Sequence, residues 1–372
     1  MNRSQKFWQR VTDGMELNQL WKQFQADARS SYRLYSREID YSRTPETRKG
    51  RHVFNVARQF FWAIVEKLTP ARRVLLLIAL VLLFINFQSS WPTGNGHVNT
   101  IGFGGSFWGG ILLLALLVLE VGDRVVMKRD LQIAREIQAW LLPADPPQVP
   151  GLQIAFATRP ANTVAGDYYD VFSRPSPDSP GDTFLVVIAD VAGKSVPAAM
   201  LMATFQASLK TLARTPGSLA DLVGGMNTYA CSNSQNGRRF TTTFISEYDP
   251  SSRSLTYVNA GHNAPILRRR TGAIERLQIG GVPLGIQEDI PYQSGTVTLD
   301  NGDWLVIFTD GVTEAENERA HEYGETRLLA MLQAYASATP SQLLDAIMQD
   351  LDRFVGDAPQ HDDVTLMLVK AV

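Results

Sequence analysis

Five aspartates stand where an apolar run stops or starts. They are Asp167 in AGDYYD, Asp190 at the end of FLVVIAD, Asp310 at the end of WLVIFTD, and Asp362 with Asp363 at the head of DDVTLMLV. A carboxylate at the end of a buried strand costs free energy unless something neutralises it. No complementary run of Lys and Arg accompanies these positions, so a bound cation is the simplest partner. Oxygen-only ligation favours hard divalent ions, Mg2+ or Mn2+, over zinc or copper. One Asp-Gly after a strand reads as a turn or a helix cap. Several strand-end aspartates together read as a shared metal site.

A nucleotide site is the competing chemistry. VVIADVAGKSVPAAM (186–200) runs from strand through Gly-Lys-Ser into a helix, as a phosphate-binding P-loop does. That loop needs a glycine five positions before the glycine of Gly-Lys-Ser, so that backbone amides can wrap phosphate. Ile188 holds the place, and Asp190 would aim negative charge at the ligand. Cys231 is the only cysteine, which excludes an intrachain disulfide and CxxC chemistry. The five histidines (His52, His97, His262, His321, His361) show no HExxH or paired spacing.

The elements that must position these aspartates follow from periodicity. Strands are expected over 152–158, 167–172, 184–190, 242–249, 254–260, 264–269, 304–310 and 364–369. Helices are expected over 197–214, 218–234, 325–337 and 341–354, with loops at 173–182 and 280–295. Helices fall between groups of strands instead of alternating with each one. The pattern implies an α+β fold of antiparallel sheets with helices outside, not a doubly wound parallel sheet.

Upstream the chain changes character. Residues 1–73 hold 15 Lys+Arg against 7 Asp+Glu, a net of +8, while the rest holds 20 against 30, a net of −10. The basic part suits an anionic membrane surface, and no nucleic acid is expected as a partner. Two apolar runs, after Arg72 and over 101–121, pair as a transmembrane hairpin across 71–121. The segment between them lacks Lys and Arg while both flanks carry them, which places both termini in the cytoplasm. A cleavable signal peptide is not expected, because a long charge-rich segment comes first. Residues 1–70 read as a basic, amphipathic cytoplasmic segment. Residues 122–143 read as a helical linker whose apolar positions Val126, Ile133, Ile137 and Trp140 would pack on the next domain or in a homodimer. ADPPQVPG (144–151) marks the boundary to a domain over 150–371.

AGDYYDVF, IADVAGKSVPAAMLMA, YVNAGHNAPILRR, GVPLGI, IFTDGVTEAEN and DDVTLMLV occur in this order over residues 151–370. Together they resemble the PPM-type metal-dependent serine/threonine phosphatases, in the bacterial SpoIIE-like branch that regulates sigma factors. The linker sequence LQIAREIQAWLLP is similar to that branch as well. The resemblance implies an αββα β-sandwich holding two Mn2+ or Mg2+ ions, with hydrolysis by activated water and no covalent intermediate. Carried over motif by motif, it implies metal ligands at Asp167, Asp190, Asp310 and Asp362, with Asp190 bridging and the Val191 carbonyl contributing through water. Asp190 and Asp310 would be the residues on which catalysis depends. Asp170 and Asp363 are further candidates, although on a regular strand Asp170 faces away from Asp167. Eukaryotic relatives carry a histidine two residues after the bridging aspartate, where this chain has Ala192. Water or His262 would then assist the leaving oxygen, unless His262 is a structural turn residue. Lys194 either attracts phosphate or is a solvated lysine at a helix entry.

These readings give a phosphoserine/phosphothreonine protein phosphatase, anchored in the inner (cytoplasmic) membrane by two passes with its catalytic domain in the cytoplasm. Its implied substrate is a phosphorylated anti-anti-sigma-type (STAS) protein. The alternatives are a catalytically silent scaffold of the same fold and a metal-dependent nucleotidyl cyclase. The cyclase needs a ferredoxin-like strand order that the sequence does not offer.

Overall fold

The computed structural model describes residues 61–62, 65–92, 98–175, 182–234 and 239–372. The basic segment over 1–70 lies almost wholly outside the described residues, as does the centre of the 173–182 loop. The chain divides into two compact units, Met1–Val125 and Val126–Val372.

In the first unit, helix α1 (Pro70–Phe84) leads into strands β1 (Asn86–Pro92) and β2 (Val98–Gly104), and these into helix α2 (Gly105–Leu141). β1 and β2 pair antiparallel from Asn86↔Gly104 to Pro92↔Val98. This corrects the expected transmembrane helices: among the described residues no helix is long and apolar enough to cross a membrane. The strand pair takes up residues that each predicted span needed. α1 keeps 15 residues, which at 1.5 Å per residue is about 22 Å against a hydrocarbon core of about 30 Å. The apolar part of α2 ends at Glu120, followed by Asp123 and Arg124. Both helices leave large apolar side chains exposed, among them Val74, Leu77, Val81, Leu114, Leu117 and Val118.

The second unit begins within α2 and holds two sheets. The first consists of β4 (Tyr168–Arg174), β5 (Thr183–Val191), β6 (Thr241–Asp249), β7 (Ser254–Ala260) and β10 (Gly280–Gly281), with β11 (Gly295–Thr298) also on β7. The second has the order β3 (Leu152–Arg159), β13 (Val364–Ala371), β12 (Trp304–Phe308), β8 (Ile266–Arg268) and β9 (Ile274–Arg276). Apart from the short parallel pair β10·β7, the strands are antiparallel. Helices α3 (Ser195–Leu212) and α4 (Leu219–Asn233) cover the first sheet. Helices α6 (Glu325–Ala334) and α7 (Pro340–Val355), which follow the short α5 (Asp310–Thr313), cover the second.

Alternation along each strand builds this αββα layering. On β5, Val186 and Ile188 enter the core between the sheets, while Leu185, Val187 and Ala189 face α3 and α4. On β12, Leu305 and Ile307 point inward, while Trp304, Val306 and Phe308 face α6 and α7. Burial on both faces is why these strands read as continuous apolar runs. Each such side chain contributes about 1.5–3 kcal/mol. Capping boxes start two of the helices: Ser218 with Asp221 at α4, and Thr339 with Gln342 at α7. The expected strands and helices of residues 152–369 are all present, and the elements not expected are the short β9, β10 and β11 and the four-residue helix α5.

Of the two packings expected for the linker stripe, the one on the domain is not seen. Val126, Ile133 and Ile137 are exposed and Trp140 is 81% exposed, so the apolar stripe does not pack on the domain. Gln138, 7% exposed, is the residue that docks. Leu142, beyond the helix, packs against the core between the sheets and against the core beneath α3 and α4.

Candidate metal centre

Two adjacent strands of each sheet deliver carboxylates. Asp167 precedes β4, and Asp190 sits one residue before the end of β5. After Asp190 the chain leaves the strand with the Ala192 amide bonded to the Phe240 carbonyl at 2.9 Å. It then turns at Gly193, whose φ of 113° is a left-handed conformation open to glycine. On the other sheet, β12 ends at Phe308, Thr309 caps α5, and Asp310 is the first residue of that helix. Asp362 and Asp363 lead directly into β13. Gly311 makes the approach of these two segments possible: a Cβ there would stand 2.0 Å from the Asp363 carbonyl oxygen.

The group is electrostatically strained. Burial, and then the neighbouring Asp190 charge, hold the Asp167 carboxyl well above the usual carboxylate range. Burial pushes Asp190 up to about 7, with further repulsion from Asp310, Asp362 and Asp363. Asp310 is raised by burial and by Asp362. Lys194, 2.9 Å from Asp362, is the cation that acts against this repulsion. Among the described residues, no three His, Cys, Asp or Glu side chains converge tightly enough to grip one ion as they stand. The donor set nonetheless fits a pair of hard divalent cations such as Mn2+ or Mg2+. It offers carboxylate oxygens only, partly desolvated and mutually repelling, which are the conditions a bound cation relieves.

The candidate residues divide by their contacts. Asp167 accepts a hydrogen bond from Thr309 Oγ1 at 3.0 Å, which ties the edge of the first sheet to the second. Asp362 is half-buried, and its Oδ1 accepts the Asp363 amide at 2.9 Å. The carbonyl of Val191 lies against Gly166, beside Asp167. Asp363 has both carboxylate oxygens engaged by backbone, accepting from Ala161 N at 2.7 Å and Gly166 N at 2.6 Å. Its role here is to hold the loop that leads to Asp167. Asp170 is not brought to the group. It points to the helix layer, where Tyr168 donates to it at 2.6 Å and Lys210 pairs with it at 2.6 Å. Strand alternation predicts that orientation.

Three further residues escaped the sequence reading. Thr309 is fully buried and takes the Thr365 amide while donating to Asp167. Gln138 binds both polar atoms of one peptide position, donating to Ala165 O at 2.7 Å and accepting from Ala165 N at 2.9 Å. Thr242 contacts the Asp190 carbonyl at 3.5 Å and His262 Nδ1 at 3.1 Å. Nothing in the sequence separates Gln138 from the other polar residues of the linker, such as Gln132 and Glu136. His262 is 7% exposed and its Nε2 is buried, so it does not reach a leaving group in solvent.

An antiparallel β-sandwich between helical layers, with carboxylates at one end of both sheets, is the PP2C-type phosphatase fold. The SiaA-PP2C domain of Pseudomonas aeruginosa superposes with a TM-score of 0.56 at 22% identity, covering 67% of this chain and 99% of that domain. Residues 180–372 match the Stage II sporulation protein E (SpoIIE) family, and the chain belongs to that family. Protein IcfG of Synechocystis sp. is 31% identical, over 68% of this chain and 43% of its own length. The chain therefore spans less than half of that relative. Phosphoserine phosphatase RsbU of Bacillus subtilis is 27% identical, over 67% of this chain and 72% of its own length.

Proposed function

We propose that this chain is a Mn2+- or Mg2+-dependent protein phosphatase acting on phosphoserine or phosphothreonine. The observation that carries the proposal is the gathering of Asp167 and Asp190 from one sheet with Asp310 and Asp362 from the other, where burial and neighbouring acids raise the carboxyl pKa values of Asp167, Asp190 and Asp310. Asp190, Asp310, Asp362 and Asp167 would hold the ions, with the Val191 carbonyl as a further oxygen. When bound, such ions supply charge stabilisation to phosphoryl oxygens and a water of lowered pKa. The protein's own part is orientation. Thr309 fixes the Asp167 carboxylate, Asp363 fixes the loop before it, and Lys194 offers a cation to an incoming phosphate. The test is hydrolysis of p-nitrophenyl phosphate and of a phosphoserine protein by the full chain with Mn2+ and with EDTA. Equal, negligible rates in both conditions would leave the silent scaffold as the better reading.

The substrate in this proposal is a phosphorylated anti-anti-sigma-type (STAS) protein. Its support is the family resemblance and the likeness to a phosphoserine phosphatase, RsbU. The proposal also places the chain at the inner membrane with the carboxylate domain in the cytoplasm. The support is the exposed apolar surface of α1 and α2 together with the basic first segment. Flotation with anionic vesicles tests this placement, and a chain that stays in the dense fraction overturns it. A homodimer through 122–142 completes the proposal, since the apolar stripe there lies open.

A further inference from the structure

We propose that His262 is a positioning residue that couples the two sheets at their carboxylate end, joining the strand end that carries Asp190 to the strand that leads into Asp310. The inference rests on the phosphatase reading only for its catalytic consequence; the coupling itself is structural.

His262 is set by the backbone around it. It follows Gly261, whose φ of 71° turns the chain off β7. The His262 amide donates to Asn259 Oδ1 at 2.7 Å, and Asn259 Nδ2 donates to Leu277 O at 3.1 Å. These bonds fix the backbone at His262, and its ring is buried. On one side Nδ1 meets Thr242 Oγ1 at 3.1 Å. Thr242 is the register partner of Asp190 across β5 and β6, and its hydroxyl also lies 3.5 Å from the Asp190 carbonyl.

On the other side the ring reaches the backbone carbonyl of Phe308. The Thr309 amide bonds to Thr365 on β13, so alternation turns the Phe308 carbonyl towards the opposite edge of β12. There the pairing with β8 has already ended at Val306↔Ile266. The carbonyl thus has no ladder partner, and the imidazole occupies the position of one. Among the described residues, Nε2 of His262 is the buried side-chain nitrogen or oxygen without a hydrogen bond of good geometry. One tautomer accounts for both facts: Nδ1 accepts from the Thr242 hydroxyl while Nε2–H is directed at Phe308 O. Burial keeps the ring neutral, with its pKa lowered to about 4, which this donor–acceptor pair requires.

The consequence is a chain of contacts from Asp190, through its strand pairing with Thr242, by the Thr242 hydroxyl to His262 and on to Phe308, two residues before Asp310; the one hydroxyl proton goes to Nδ1, so the 3.5 Å approach to the Asp190 carbonyl is not a second hydrogen bond. It crosses from one sheet to the other without using a carboxylate. A shift of either strand end is then resisted by the other.

The test is amide hydrogen exchange on the full chain in EDTA, comparing wild type with His262→Ala, Thr242→Val and His262→Gln. The coupling predicts that Thr242→Val, which alters only the first-sheet side, speeds exchange about tenfold in peptides covering both 190–193 and 308–312. His262→Ala does the same, and His262→Gln, whose amide can still donate to Phe308 O, recovers protection over 308–312. Faster exchange confined to 190–193 and 240–243 in Thr242→Val overturns the inference, even if His262→Ala fails to fold. In the same proteins, His262→Ala should lower kcat about tenfold, by misplacing groups that must be held in register. It should also shrink the Mn2+-induced rise in Tm. A wild type without Mn2+-dependent hydrolysis overturns the phosphatase reading and leaves the exchange result standing.

Discussion

Lys194 Nζ stands 2.9 Å from Asp362 Oδ2, so the loop entering α3 on one side of the sandwich is ion-paired to the segment entering β13 on the other. Both side chains remain about half-exposed, and the pair is weak enough to exchange partners. Under the proposed function, an incoming phosphate would be such a partner. Lys194→Gln should raise KM for a phosphoprotein about three- to tenfold and change kcat less, as measured by steady-state kinetics at saturating Mn2+. A fall in kcat at unchanged KM would place Lys194 elsewhere in the mechanism.

Asp190→Asn and Asp310→Asn should each lower Mn2+-dependent turnover by roughly a thousandfold, because in the proposed centre the carboxylate charge would hold the cation. Both residues are repelled by neighbouring acids, so neutral replacements relieve the metal-free fold instead of weakening it. In EDTA, Tm of each variant should equal or exceed that of the wild type. Near-normal turnover in both would show that the centre lies elsewhere.

Gly311→Ala should destabilise the domain by about 1–3 kcal/mol, since a methyl group must displace the Asp363 carbonyl that lies 2.0 Å from its position. Denaturant melts measure the loss. Full stability in this variant would mean that the Asp310 and Asp362 segments are not held against each other.

The linker offers a contrast within one helix. Ile133→Asp with Ile137→Asp should leave the Tm of a monomeric domain within a degree or so, because both side chains are exposed. Sedimentation should show a smaller mass if the stripe joins two copies. Gln138→Ala removes two buried hydrogen bonds to Ala165 and should cost about 1–3 kcal/mol. The opposite ranking would mean that the stripe packs within one chain.

Asp350 joins α7 to α6 by accepting from Arg327 at 2.6 Å and from Tyr323 at 3.0 Å. The Arg327 hydrogen bond holds the Asp350 carboxyl below its usual range. A depressed carboxyl stabilises the fold above its unfolded pKa of about 3.9, and this stability is lost as pH falls through the lower folded value. Asp350→Asn should therefore reduce Tm by about 2–4 °C at pH 7, for a partly exposed pair worth about 1 kcal/mol. Once the pH is below the lowered folded value, the difference should close. A constant difference across pH would assign the effect to packing.

Much of the sandwich was legible because β5, β12 and β13 are buried on both faces and read as unbroken apolar runs that end at aspartates. The αββα layering and the two metals came from the family resemblance, not from the periodicity. What the sequence hid were contacts between distant segments. Thr309 and Asp363 are polar residues next to acids, and only the packed fold shows that they brace Asp167 and its loop. The linker's docking residue was hidden because it lies on a different face from the apolar stripe: Ile137 is exposed while Gln138 is buried. The hairpin misled because hydropathy counts apolar residues without regard to backbone state. Strands β1 and β2 remove residues that two spans would have needed.

The position of β13 between β3 and β12 has a consequence for how the molecule is made. Its register with β3, from Val364↔Arg159 to Ala371↔Leu152, joins segments about 200 residues apart along the chain. Asp363 bonds Ala161 across a separation of 202. A nascent chain emerging from the ribosome has β3, β12 and the first sheet available well before β13. Until β13 inserts, the flanks of β3 and β12 are open edges, and neither Asp362 nor Asp363 has reached the loop before Asp167. Such late, long-range closure is slow and leaves strand edges free to pair wrongly. The carboxylate cluster is thus assembled last, and a ribosome-bound chain stalled before residue 362 would lack both Asp362 and the strand that closes the second sheet.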